Sequence, residues 1–191
     1  MTRLCALGGI GAAVTACLAV LASCGGGSGG GVIAEVVSDA DFRPDAAPPA
    51  ANSMTLQSSS TAADVITLDV VITDTAGVFS AAFDLVFDPV DVVYLASEQG
   101  GFLGGDGADT QFLVTATAGR LVVGLSRVQG GTNAVPDVDA DGSETLASFR
   151  LRLMRPRTSR VEFDQTEPRS VRGRDGVPRS VSWSGGALVG S

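Results

Sequence analysis

The chain has 191 residues, with 13 basic residues against 21 Asp+Glu, no His and a formal net charge of −8. Every basic residue is Arg, so Lys is absent too. Those absences exclude ordinary zinc sites, His-dependent triads, Schiff-base chemistry and Walker-type phosphate loops, leaving only carboxylates for acid–base catalysis.

The chain opens with one positive charge, Arg3, followed by an apolar run from residue 4 to 22. That run is about long enough to span a bilayer as a helix. It contains Gly8, Gly9 and Gly11, however, and ends in Leu21-Ala22-Ser23-Cys24 before a Gly-rich stretch. A charged start, an apolar middle and a small-residue end are the marks of a cleaved signal. The segment resembles a bacterial lipoprotein signal peptide over residues 1–23. The resemblance implies lipidation of Cys24, export, and a lipid anchor in the cell envelope. Gly25 behind the cysteine implies release from the inner membrane to the outer membrane or cell surface. Cys5 and Cys17 would leave with the signal, so Cys24 would be the one mature cysteine.

Residues 24–63 are rich in Gly, Ser, Ala and Pro, with Pro44, Pro48, Pro49 and Ser58-Ser59-Ser60. This composition predicts a flexible tether, with a coil dimension of roughly 35 Å. Val32–Val37 is an apolar patch within it that could add a strand, which leaves the boundary open.

From residue 64 the pattern turns to strands. Ile66, Leu68, Val70 and Ile72 share one face. Phe79, Ala81, Phe83, Leu85 and Phe87 share another, and Asp88-Pro89 stops that strand because proline cannot donate to a ladder. Val92–Ala96 is a short apolar strand. Phe112, Val114 and Ala116 alternate, and so do Leu121, Val123 and Leu125 after a turn at Ala118-Gly119. Ala147, Phe149, Leu151 and Leu153 point in while Ser148, Arg150 and Arg152 point out. Val161 with Phe163, then Val177–Trp183, then Ala187–Val189 complete the set. No window reads as a long amphipathic helix. Eight or nine short strands joined by Gly-rich turns predict an all-β, antiparallel sandwich over residues 64–191.

Several segments could carry chemistry. Asp137, Asp139 and Asp141 alternate before Gly142, and Glu144 follows, a pattern of oxygen ligands suited to calcium. Ser148 stands where an EF-hand needs a bidentate Glu, so the segment is either a looser calcium loop or a solvated acidic turn. The Gly-rich loop Gly100–Asp109 lacks Lys and carries acids, so it predicts a turn with Phe102-Leu103 tucked into the core rather than a phosphate cradle. Asp69 and Asp84 fall at outward strand positions and read as solvated residues rather than a glycosidase pair. Trp183 and Tyr94 are the only Trp and Tyr, too few for an aromatic sugar platform, and Trp183 reads as packing. Acidic residues dominate up to Ser148 and Arg dominates beyond it. The Arg side chains at alternate strand positions predict a solvated face paired with acids, with no nucleic acid as partner.

Several segments in order carry a family resemblance. Val78-Phe79-Ser80-Ala81-Ala82-Phe83-Asp84-Leu85-Val86-Phe87-Asp88-Pro89 follows a first strand, Ile66–Ile72. Val92-Val93-Tyr94-Leu95 precedes Gly100-Gly101-Phe102-Leu103. After the Arg120–Arg127 strand comes Gly142-Ser143-Glu144-Thr145-Leu146-Ala147-Ser148-Phe149. In this order they resemble a cohesin module, the kind that binds dockerins in cellulosome scaffolds. The resemblance covers about residues 64–189. It implies a nine-stranded jelly-roll sandwich, a non-catalytic protein-binding role and a dockerin-type or envelope partner. Polysaccharide binding and a purely structural envelope role are the alternatives. It assigns no contact residues.

Overall fold

A computed structural model describes residues 36–130 and 134–191. The expected signal peptide (1–23), Cys24 and the first part of the expected tether lie outside the described residues. The described chain is all-β, with strands β1 (Ala40–Pro44), β2 (Ser53–Ala62), β3 (Val65–Thr73), β4 (Ser80–Phe87) and β5 (Val92–Gln99). A single 3₁₀ turn, Phe102–Gly104, comes next. It is followed by β6 (Thr110–Thr117), β7 (Arg120–Arg127), β8 (Ser143–Leu153), β9 (Thr158–Phe163), β10 (Ser170–Arg172), β11 (Pro178–Arg179), β12 (Ser182–Ser184) and β13 (Gly186–Gly190).

The strands form two sheets. One runs β1-β13-β9-β4-β10-β11, with β7 joining the far side of β4 and β6 joining β7; the other runs β12-β2-β3-β8-β5. Strand β4 is the pivot of the first sheet. Its C-terminal half, Leu85–Phe87, pairs with β9, its N-terminal half, Ser80–Ala82, pairs with β10, and β7 runs along its opposite edge.

The alternation predicted from sequence sets the core. Ile66, Leu68, Val70 and Ile72 are fully buried, facing Ala81, Phe83 and Leu85 across the sandwich with Ala147, Phe149, Leu151 and Leu153. Burial of each large apolar side chain contributes about 1.5–3 kcal/mol. Among the described residues the buried core runs from Val37 to Leu188.

Three features depart from the sequence reading. The boundary at residue 64 is corrected: β2 pairs with β3 along its length and β1 pairs with β13, so residues 40–62 belong to the sandwich rather than to a tether. Met54 and Leu56 are in the core, and the serine-rich end of β2 stays exposed while Ser59 and Ser60 donate to Asp69 and Thr67. Val177–Trp183 is two short strands rather than one. Within it, β12 lies parallel to β2, so the sandwich is not wholly antiparallel.

Candidate functional site

The outward face of β6, β7 and β4 is the most distinctive surface. Rows of side chains cross the sheet in register. Leu113 stands beside Gly124, Gly124 beside Ala82, and Ala82 beside Ser170 of β10. The next row is Thr115, Val122 and Asp84, followed by Thr117, Arg120, Val86 and Glu162. Leu113 is 61% exposed and Val122 45%. Their exposure follows from parity, because Leu121, Val123 and Leu125 take the inner face of β7.

Gly124 shapes this face. A side chain built there would meet nothing within 4 Å, so packing does not demand a glycine. Its bare backbone, flanked by Ala82 and Leu113, opens a hollow of about 360 Å³ that Gln111, Ser126, Ser80 and Arg172 also line.

One ion-paired cluster borders the apolar strip. Arg120 donates to Asp84 at 2.5 Å and also to Asp164. Asp164 accepts from the Thr166 N–H and hydroxyl as well. These Thr166 bonds, with Arg120 beside them, hold the Asp164 carboxyl below its ordinary value. The Asp84 and Asp164 carboxylates, chiefly through the Asp84 bond, push the Arg120 guanidinium up.

The outer face of the other sheet is polar by contrast. Asp69 accepts from Ser59 at 2.9 Å and Ser148 at 2.7 Å, and Arg152 pairs with Asp64. Its exposed large apolar residues, Val93 and Leu95, are confined to the edge strand β5.

The four acids expected as calcium ligands divide. The Asp137 carboxylate accepts from the Arg174 N–H at 2.6 Å and pairs with Arg179. Asp139 accepts from the Gly77 N–H at 2.7 Å. Asp141 and Glu144 line a separate hollow with Asp106 and Asp139. Among the described residues no group of three such side chains is placed to hold one ion. The turn is tied instead to the end of β3, where Gly142 N–H donates to the Asp74 carboxylate and Asp74 N–H to the Gly142 carbonyl.

The remaining residues singled out by sequence have structural roles. Leu103 is buried and anchors the Gly100–Asp109 loop. Asp69 and Asp84 lie on different sheets, one bonded to serines and the other to Arg120. Trp183 packs edge-on to Phe163, ring centroids 5.0 Å apart, beneath Arg169. Among the described residues no Phe, Tyr or Trp is exposed. Some outward Arg side chains are ion-paired, Arg152 with Asp64 and Arg160 with Asp45 and Glu162, while Arg150 and Arg172 have no ion pair among the described residues. Sequence reasoning missed Arg127, whose guanidinium is buried and donates to the Leu103 carbonyl and to Asp106. Its parity with Leu121, Val123 and Leu125 was the available signal.

No family model matches the chain, and no curated protein matches it in sequence. Solved structures do match. A type II cohesin domain from the cellulosome of Acetivibrio cellulolyticus superposes with a TM-score of 0.55 at 15% identity, covering 73% of this chain and 95% of that one. The cohesin CaCohA2 of Clostridium acetobutylicum gives 0.53 at 15% identity, over 72% and 90%. A chain of a type II cohesin–X-dockerin complex from Acetivibrio cellulolyticus gives 0.50 at 14% identity, over 68% and 91%. The two-sheet architecture and these superpositions agree: the described domain is a jelly-roll β-sandwich with the cohesin fold.

Proposed function

We propose that this domain is a non-catalytic protein-docking module whose partner, a dockerin-type domain, seats on the outward face of β6, β7 and β4. The observation that carries the reading is the contrast between the two sheets. One exposes Leu113, Val122, Ala82 and the Gly124 backbone in contiguous register, while the other presents hydrogen-bonded Ser, Asp and Arg. A contiguous apolar strip with a charged rim is the anatomy of a protein interface. The type II neighbour in a complex with X-dockerin supports the choice of partner.

The N-terminal features extend the proposal. Lipidation of Cys24 would hold the domain at the envelope, and the Gly-rich segment after it would raise the local concentration of a docked partner. Metabolic labelling with an azido fatty acid, comparing the wild-type chain with Cys24→Ser, tests the anchor. Loss of label and release from the membrane fraction in the variant support it, and unchanged fractionation contradicts it. For docking, calorimetric titration of residues 34–191 with dockerin modules, set against Val122→Asp, is the direct test. Binding by the wild type with at least a tenfold loss in the variant supports the reading, because a charge would be desolvated at the contact.

A further inference from the structure

Among the described residues five strands end the two sheets: β1, β11 and β6 in one, β12 and β5 in the other. Exposed edges invite pairing with another chain, and proteins blunt them with charge, proline, bulges or brevity. Strand β1 carries Asp41, Arg43 and Pro44, β5 carries Glu98 and a register shift between Tyr94 and Ala96, and β11 and β12 have two and three residues. Strand β6 has none of these protections. Its sequence, Thr-Gln-Phe-Leu-Val-Thr-Ala-Thr, is eight residues long, uncharged and free of proline, and it pairs with β7 with no register shift.

The direction of its free backbone groups is fixed. Val128 N–H donates to the Asp109 carbonyl in the same ladder, so the odd-numbered residues of β6 bond to β7. By the alternation of an antiparallel ladder, Phe112, Val114 and Ala116 turn their N–H and C=O groups outward. Among the described residues no backbone group meets them on that side.

We propose that β6 pairs antiparallel with β6 of a second copy of this chain, about a two-fold axis at Leu113. The register follows from the strand itself. Outward-directed groups must face one another, which sets Phe112 opposite the partner copy's residue 114 and Thr110 opposite its residue 116. Leu113 then meets its own equivalent in a non-hydrogen-bonded pair, where side chains approach most closely. Gln111 meets the equivalent of Thr115 on the same face, and no like charges are opposed. Exposed Leu113 and half-buried Phe112 and Val114 gain cover from the pairing. A net charge of −8 per chain opposes association, so the dimer tightens as salt is raised. The two sheets merge into one, bringing two copies of the β6–β7–β4 face side by side.

The test uses residues 34–191, which hold every core residue among the described ones and no cysteine. Sedimentation equilibrium of the wild type should show a monomer–dimer equilibrium strengthened by salt. Leu113→Cys, the sole thiol, should oxidise to a cross-linked dimer roughly tenfold faster than Val122→Cys, which is exposed on β7 away from the edge. Val114→Pro removes an outward donor without breaking a bond to β7, and Leu113→Lys sets two like charges face to face. Each should weaken the dimer about tenfold or more while the monomer stays folded by circular dichroism. A monomer up to about 1 mM, the weak end of specific association, overturns the proposal. So does a dimer that both variants leave intact, and so does equal cross-linking of the two cysteine variants. Docking is tested separately by Gly124→Leu, which fills the hollow and leaves the β6 edge untouched.

Discussion

Gly124 of β7 stands directly opposite Leu113 of β6, so an exposed leucine borders a strand position with no side chain. A glycine inside a strand is locally unfavourable by about 0.5–1 kcal/mol relative to alanine. Nothing in the packing requires it here, because a Cβ at that point would meet open space. Gly124→Leu is therefore predicted to leave stability unchanged or raised by up to about 1 kcal/mol while abolishing docking. Thermal melts and calorimetry on the same sample check both halves. Destabilisation would show that the glycine serves the fold.

The Asp164 cluster predicts how stability responds to acid. Thr166 first, and Arg120 after it, hold the Asp164 carboxyl below 3.8. Arg160 lowers Asp45 and Arg127 lowers Asp106 in the same sense. A carboxyl whose folded pKa lies below its unfolded one adds stability that is fully present above the unfolded value. That stability is lost as pH falls through the folded value. Urea midpoints should thus be flat in this respect from neutral pH to about 5 and decline below about 4. Thr166→Val should raise the Asp164 pKa, read by carbonyl NMR, and so make the acid loss of stability smaller.

Arg127 is a buried charge that fastens the Gly100–Asp109 loop to the end of β7. Its guanidinium reaches the Leu103 carbonyl and Asp106, while its Nε has no partner. Arg127→Ala would leave a cavity and strand the Leu103 carbonyl, at a cost of about 3 kcal/mol. Denaturant unfolding measures the loss. Faster amide exchange confined to residues 101–109 would confirm which loop the arginine holds.

Calcium gives a sharp negative prediction. Asp137 is committed to Arg174 and Arg179, and Asp139 to Gly77. Those bonds use part of each carboxylate's acceptor capacity and make the 137–144 segment a poorer source of the six to eight oxygens calcium takes. The melting temperature should be the same in calcium and in chelator. A calcium-dependent rise that Asp141→Asn abolishes would restore the loop as a site.

The inner faces of β3, β4 and β8 were legible because period-two alternation runs unbroken through Ile66–Ile72, Phe79–Phe87 and Ala147–Leu153. Strand β2 was hidden because Ser58–Thr61 occupies its exposed end, where hydroxyls bond across to β3, and such composition reads as tether. The pairing of β12 with β2 joins residues 129 positions apart, which no local pattern encodes. Asp137 carries a local calcium signature, while its contacts with Arg174 and Arg179 are long-range and no local pattern shows them. The proposed docking face was not legible as a site because its content is exposure, and exposure of Leu113 and Val122 depends on which sheet face remains uncovered.

The most direct test of the docking account is hydrogen–deuterium exchange of residues 34–191 with and without a dockerin module that binds it in titration. The account predicts protection concentrated on β6, β7 and the N-terminal half of β4, with binding lost in Gly124→Leu. Protection on β3 and β8 instead, or binding that Gly124→Leu leaves untouched, would contradict it.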